Sequence, residues 1–245
     1  MARKRIDQLL VERGVFDSRA KARAAIEAGR VTVAGKTVAK PSESVDEAAE
    51  IVAEAAHPWV GRGALKLVHA LDLWPIPVEG RIAADVGAST GGFTEVLLSR
   101  GAVKVFAVDV GRDQLHAKLR ADDRVVDLSG VDARALDANT IPEAPMLVVS
   151  DVSFISLTKA LPAALGLAMP GADLMALIKP QFEAGRENVG KGGLVKDPEV
   201  IARVEHEIVD FLEAAGWSVK GLAESPITGG EGQVERLVWA TKLEP

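Results

Sequence analysis

Four aspartates and a lysine occupy equivalent places along the chain, each just beyond an apolar run: Asp85, Asp109, Asp132, Asp151 and Lys179. A surface charge has no reason to recur so regularly, whereas polar groups at the carboxyl ends of buried strands converge on one ligand. Any one of them taken alone is also explained as the cap of a following helix, Asp151 most readily, although Ser153 offers a competing cap there. After the first acid the chain runs Gly87-Ala88-Ser89-Thr90-Gly91-Gly92, a turn open only to small residues. Glycine tolerates positive φ and has no side chain to hold a ligand off the backbone, so such a turn brings N–H groups close to a small molecule. Asp85 and Asp109 are then placed to grip its polar groups. A plain glycine-rich turn of an α/β protein is the weaker alternative for this one stretch. The order Asp85-x-Gly87-x-Ser89-x-Gly91-Gly92 lacks the G-x-G-x-x-G spacing of a dinucleotide fingerprint, which disfavours a nicotinamide-linked oxidoreductase.

The elements that must carry these groups alternate. Strands are expected at 82–85, 103–109, 125–126, 146–151 and 174–178, with helices at 93–99, 114–120 and 157–167 between them. Their Val, Leu and Ala runs show little alternation, as in parallel strands covered on both faces, so the fold class is α/β, a doubly wound sheet. A helix over 64–73 precedes them, ended by Pro75 and Pro77, with Leu67, Ala70 and Leu71 inward; Arg62, Lys66 and His69 share its other, wetter face. Residues 182–196 form a long glycine-rich loop of the kind that is usually functional. A helix over 201–215 opened by Asp197-Pro198, strands at 218–222 and 234–241, and a glycine turn at 229–232 complete the chain.

At 245 residues the chain has room for a small domain beside a medium one, and 48% hydrophobic residues supply a core. The absence of cysteine removes disulfides, thiolate metal sites and a cysteine nucleophile, and no metal-ligand cluster is apparent. No apolar segment follows the basic residues near Met1, and the most apolar stretch, 160–178, is interrupted by Pro162, Pro170, Gly171 and Asp173. A soluble, cytoplasmic protein without stable membrane association is expected. Charge is divided unevenly: residues 1–40 hold ten Lys/Arg against four Asp/Glu, and the remainder nineteen against thirty-one. A basic head on an acidic body points to a polyanionic partner for the head.

That head reads as two short helices and a hairpin: Ile6, Leu9 and Leu10 at helical spacing, a second helix capped by Asp17 or Ser18 with Ala22, Ala25 and Ile26 inward, and strands 31–33 and 36–38 around Ala34-Gly35. Arg5-Ile6-Asp7, Leu9-Leu10, Ser18-Arg19, Ala22, Ile26, Gly29, Val31, Val33, Gly35 and Lys40-Pro41-Ser42 together resemble the S4 RNA-binding domain. The resemblance implies RNA contacts from Arg3, Arg5, Arg19, Arg23, Lys36 and Lys40. Ala34 stands where that family usually has Asn.

The acid-led turn resembles motif I of S-adenosylmethionine methyltransferases. This implies a cofactor held by Asp85, Gly87, Ala88, Ser89, Thr90, Gly91, Gly92, Phe93, Asp109, Val110, Asp132, Ala133 and Asp151. Over nearly its whole length the chain resembles the TlyA-type family, whose members carry haemolysin or ribosomal-RNA-methyltransferase names and join an S4 domain to an FtsJ-like methyltransferase domain. The carriers are 85–93, Ala107-Val108-Asp109-Val110-Gly111, 151–157, Lys179-Pro180-Gln181-Phe182-Glu183, 190–193 and 225–235. The implied division is 1–56 for the S4 domain, 57–62 as linker and 63–245 for the methyltransferase. The implied activity is 2′-O-methylation of cytidine ribose in ribosomal RNA, free or in ribosomal subunits, through a tetrad of Lys66, Asp151, Lys179 and Glu235. In that tetrad Lys179 is the favoured base, with Lys66 the neighbouring cation that favours a neutral amine. Gly61-Arg62-Gly63-Ala64-Leu65-Lys66 replaces the usual Ser-Arg-Gly-Gly-x-Lys, and Gln233 stands where Asn is frequent. A base methyltransferase fits less well: there is no cysteine for carbon-5 chemistry, and Asp151-Val152-Ser153-Phe154 replaces the Pro-Pro-aromatic loop used on exocyclic amines. A membrane-active haemolysin would require an amphipathic rearrangement.

Overall fold

The computed structural model describes residues 2–229 and 232–244; Gly230 and Glu231 of the expected glycine turn lie outside the described residues. The chain divides after Pro58 into two compact units.

In the smaller unit, β1 (Arg3–Arg5) pairs antiparallel with β4 (Ser44–Asp46), and α1 (Ile6–Glu12) and α2 (Arg19–Glu27) pack on one another. Ser18, one of the two expected caps, accepts the Lys21 N–H and opens α2. The helical stripe is buried as expected, with Ile6, Leu10, Ala22, Ala25 and Ile26 packed on Val31 and Val38. A three-stranded sheet runs β3 (Lys36–Thr37), β2 (Val31–Val33), β5 (Ile51–Ala53). The hairpin pairs Val33 with Lys36 across a two-residue loop in which Ala34 has φ 48° and Gly35 φ 75°. Both central residues are left-handed, the type I′ geometry that matches strand twist.

The larger unit is a seven-stranded sheet. Its strands are β6 (Ile82–Val86), β7 (Lys104–Asp109), β8 (Val125–Ser129), β9 (Leu147–Ser150), β10 (Asp173–Ile178), β11 (Trp217–Glu224) and β12 (Arg236–Lys242), in spatial order β11-β12-β10-β9-β6-β7-β8. β6 to β10 are mutually parallel, and β12 runs antiparallel to both β10 and β11. Alternate residues feed two cores. Ala84, Val86, Val108, Val148 and Ala176 face α6 (Leu157–Ala160), α7 (Pro162–Leu167) and α9 (Pro198–Ala214); Ala83, Val105, Leu147, Val149 and Leu177 face α3 (Ala64–Leu73) and α4 (Gly92–Ser99). The sheet is doubly wound, as the apolar runs require.

Several bounds differ from expectation. The single helix over 157–167 is two, because Pro162 starts α7 and cannot continue the hydrogen bonding of α6. α5 is only Ala117–Arg120, since Asp113 takes φ 56° and His116 caps the helix late. β8 extends to Ser129, beyond the expected 126. Residues 59–62 pack on the larger unit, where Val60 is buried and donates its N–H to Glu95 (2.6 Å). Among the described residues no helix is long and apolar enough to cross a membrane.

Alanine is poorly suited to the left-handed position that Ala34 occupies. Ala34→Asn is expected to stabilise the smaller unit by about 0.5–1 kcal/mol, measured as slower amide exchange over Val31–Val38; unchanged or faster exchange would contradict the turn assignment.

Candidate active site

Strand order reverses between β6 and β9, and the crevice beyond the carboxyl ends of these strands is where a doubly wound sheet binds ligands. All five strand-end residues lie around that edge. Asp151 follows β9, and Lys179 follows β10 and is buried. Ile178 pairs with Arg236, so the antiparallel return of β12 brings buried Glu235, one residue before it, back to the level of Lys179. The fourth member comes from outside the sheet: α3 buries Ala64, Leu67 and Ala70 in the core, and this seating carries Lys66 to the strand ends, buried rather than on a wet face.

The four side chains form one array. Lys179 Nζ lies 2.7 Å from Asp151 Oδ1, and Lys66 Nζ lies 3.2 Å from Asp151 Oδ2 and 2.6 Å from Glu235 Oε2. Asp151 therefore bridges two amines while Glu235 holds the outer one. Lys179 also donates to the Ser153 hydroxyl (2.9 Å). Ser153, expected as an alternative helix cap, is instead a partner of the lysine; the cap of α6 is Ser156, which accepts the Thr158 N–H. Gly63 passes so close that a Cβ there would stand 3.2 Å from Asp151 Oδ2.

Two adjoining clefts share Gly87, Ser89, Asp151 and Ser153 as walls. The larger, about 570 Å³, is lined also by Val108, Asp109, Val110, Gly111, Gln114, Val131, Asp132 and Ala133. The smaller, about 210 Å³, is lined also by Gly61, Arg62, Gly63, Ala88, Thr90, Gly92, Phe93 and Lys179. The array thus borders both. Asp109 accepts the backbone N–H groups of Ser89 and Gly111, both at 2.7 Å, which ties the glycine turn to the next loop. Gly87, at φ 88°, comes so near Val152 that a Cβ would meet its backbone at 3.0 Å. An acid-lined, apolar-walled cleft of this size with a bare glycine floor suits a nucleoside carrying a charged amino-acid group.

Of the expected cofactor residues, Asp85 and Gly91 line neither cleft. Gly91, at φ 93°, packs against Leu119 and Leu115, where a Cβ would fall 2.2 Å and 2.7 Å from their methyls; it serves helix packing. Asp85 is fully buried, with Thr94 donating to Oδ2 (2.7 Å) and Oδ1 left without a partner. Burial drives its pKa up to about 7, against the Thr94 hydrogen bond, with the Asp151 and Asp109 charges adding to the rise. Asp132 is pulled the other way, to about 2, by Arg134. Val110 is largely exposed on the rim. Sequence reasoning missed Gln114, which accepts from Ser89 (3.3 Å); Thr94; and Phe154, whose ring is exposed at φ 65° and meets Phe182 at 5.2 Å. Phe154 lay within a quoted motif, whereas Gln114 and Thr94 carried no local signal.

In the smaller unit, Arg3, Arg5, Arg19, Arg23, Lys36 and Lys40 are all exposed. Arg5 and Arg19 both bond Asp7, and Arg3 donates to the Ser44 carbonyl.

The family described as FtsJ-like methyltransferase matches residues 59–242, and the S4 domain matches residues 4–51. The chain is 46% identical to the 16S/23S rRNA (cytidine-2'-O)-methyltransferase TlyA of Mycobacterium tuberculosis over 98% of its own length and 90% of that protein. It is 38% identical to Hemolysin A of Brachyspira hyodysenteriae, over 95% of this chain and 98% of that one. Among solved structures, a hemolysin-named protein of Streptococcus thermophilus superposes with a TM-score of 0.78 at 40% identity, covering 100% of this chain and 90% of that chain.

The buried carboxyl of Asp85 has a consequence for stability. A carboxyl whose pKa is higher folded than unfolded stabilises the fold at low pH, and this contribution fades as pH rises from the unfolded value near 3.8 to about 7. Asp85→Asn is expected to remove a loss on the order of 2 kcal/mol between pH 5 and pH 8. Urea denaturation at the two pH values checks this; identical pH dependence in both proteins would contradict it.

Proposed function

Because the chain belongs to the FtsJ-like methyltransferase family and carries an S4 domain, we propose that it transfers the methyl group of S-adenosylmethionine to the ribose 2′-hydroxyl of a cytidine in ribosomal RNA. The observation that carries this reading is the Lys66–Asp151–Lys179–Glu235 array, whose Asp151 lines both clefts and whose Lys179 lines the smaller. In the larger cleft Asp109 and Asp132 would hold the nucleoside, with Gly87 and Ser89 along the amino-acid part. When bound there, the cofactor supplies an electrophilic methyl on a sulfonium.

A ribose hydroxyl is a weak nucleophile, and its attack needs alignment and removal of its proton. Lys179 would be the base, its amine taking the proton that the ribose hydroxyl gives up on methylation. Asp151 aims that amine and ties it to Lys66, and Glu235 fixes Lys66 in turn. Ser153 supplies a second hydrogen bond to Lys179. In this reading the unit that ends at Pro58 anchors RNA and the unit that begins at Trp59 carries out transfer. In this reading the substrate is ribosomal RNA, free or in ribosomal subunits, met in the cytoplasm.

Lys179→Ala is expected to lower methyl transfer by about 10²–10⁴-fold while leaving S-adenosylmethionine binding within a few-fold of the unaltered protein. Transfer is read as labelled methyl in alkali-resistant dinucleotides from ribosomal RNA, and binding by calorimetry. Undiminished transfer would refute the base assignment; label in alkali-sensitive nucleotides would refute ribose as the target.

A further inference from the structure

We infer that Asp7 is a positioning residue: from a buried site it holds the guanidinium groups of Arg5 and Arg19 as a preformed fork that seats one RNA phosphate. The inference rests on the reading of the S4 unit as an RNA anchor and adds a residue to it. Arg5 Nε and Nη2 donate to Asp7 Oδ1 and Oδ2 at 3.0 and 3.1 Å, and Arg19 Nη2 donates to Oδ2 at 2.8 Å. Asp7 is fully buried, whereas the two arginine side chains are 46% and 53% exposed, so the carboxylate lies beneath and the cations above. Its backbone is fixed as well, since the N–H donates to the Pro41 carbonyl.

The other ion pairs of this unit are differently made. Lys4–Glu12, Lys21–Asp17 and Arg30–Glu54 set one cation against a carboxylate that is itself more than half exposed. Those pairs balance charge in solvent and hold nothing firmly. At Asp7 a single buried negative charge meets two cations, leaving one excess positive charge and outward guanidinium N–H groups. A planar fork of that kind matches the paired oxygens of a phosphate. Arg5 stands just before α1 and Arg19 opens α2, so the carboxylate also fixes the separation of two cations borne by different helices. Arginines ordered in the free protein lose little freedom when RNA arrives. The Arg5 hydrogen bonds hold the Asp7 carboxyl at about 2, so it remains ionised at neutral pH.

Asp7→Asn separates this account from simple charge attraction, because it raises the local charge by one. Attraction alone predicts tighter RNA binding; a lost fork predicts weaker binding. With the full chain and purified ribosomal subunits, Asp7→Asn is expected to raise the dissociation constant about tenfold while leaving the salt slope unchanged, whereas Arg19→Ala lowers the slope by about one. In a protein already carrying Arg5→Ala and Arg19→Ala, Asp7→Asn should have no further effect. Arg5→Lys and Arg19→Lys keep the charge, sit on exposed side chains and test the same idea should Asp7→Asn fail to fold; each should weaken binding several-fold. Equal or tighter binding by Asp7→Asn, or wild-type binding by both lysine variants, overturns the inference alone. Absence of affinity in the unaltered chain overturns the RNA reading itself.

Discussion

Two buried amines, a buried carboxylate and a half-buried one gathered at one edge of a sheet constrain everything around them. A buried ion without a partner costs several kcal/mol, so Lys66, Asp151, Lys179 and Glu235 are tolerable only together and in register. Asp151 is the hinge of that arrangement, since each of its oxygens faces a different lysine. Removing any one member leaves a buried charge uncompensated. The packing of α3, the parallel ends of β9 and β10 and the antiparallel return of β12 must therefore agree to within a fraction of a hydrogen-bond length. The absence of a side chain at Gly63 belongs to the same requirement, because it leaves Asp151 unobstructed.

The same strand-end rule produces different outcomes at neighbouring acids. Asp109 emerges at the cleft and spends both oxygens on backbone N–H groups, which shapes the loops. Asp85, one strand over, is sealed beneath the turn with Thr94, and burial raises its pKa into the neutral range. What separates them is the covering helix: α4 begins at Gly92 and lays Phe93 and Thr94 over the end of β6. An acid that starts a motif can thus act as a buried support for the turn while its neighbour opens on the cleft.

This difference marks how far the chain is legible before folding. Apolar runs ending in Asp or Lys identify the strand ends and hence the edge that carries the site, because parallel strands must be buried on both faces. Lys66 carried no such signal: its helix reads as an ordinary amphipathic one, and only the family resemblance joined it to Asp151. Ser153, Thr94 and Gln114 were illegible because their roles depend on groups distant in sequence. Gln233, a departure from the family pattern, becomes intelligible only in three dimensions. It clasps Val195 in both directions, accepting its N–H at 2.7 Å and donating to its carbonyl, and so ties the long loop to the segment that bears Glu235. The broken helix at Pro162 was visible in principle, since proline marks a helix start as readily as an end.

Charge distribution closes the account. Residues 41–245 carry nineteen basic and thirty-one acidic side chains, an unpromising balance for attracting a polyanion. Electrostatic attraction at physiological salt extends only about 8 Å, however, so a phosphate senses local groups rather than the net charge of the body. Beside the acid-lined larger cleft, the two neighbouring surfaces carry cations. Arg62 lines the smaller cleft with Lys179, and Lys159 and Arg186 line the groove beyond Phe154. A cationic rim beside an acid-lined cleft gives a polyanion a local foothold that the net charge of residues 41–245 does not predict.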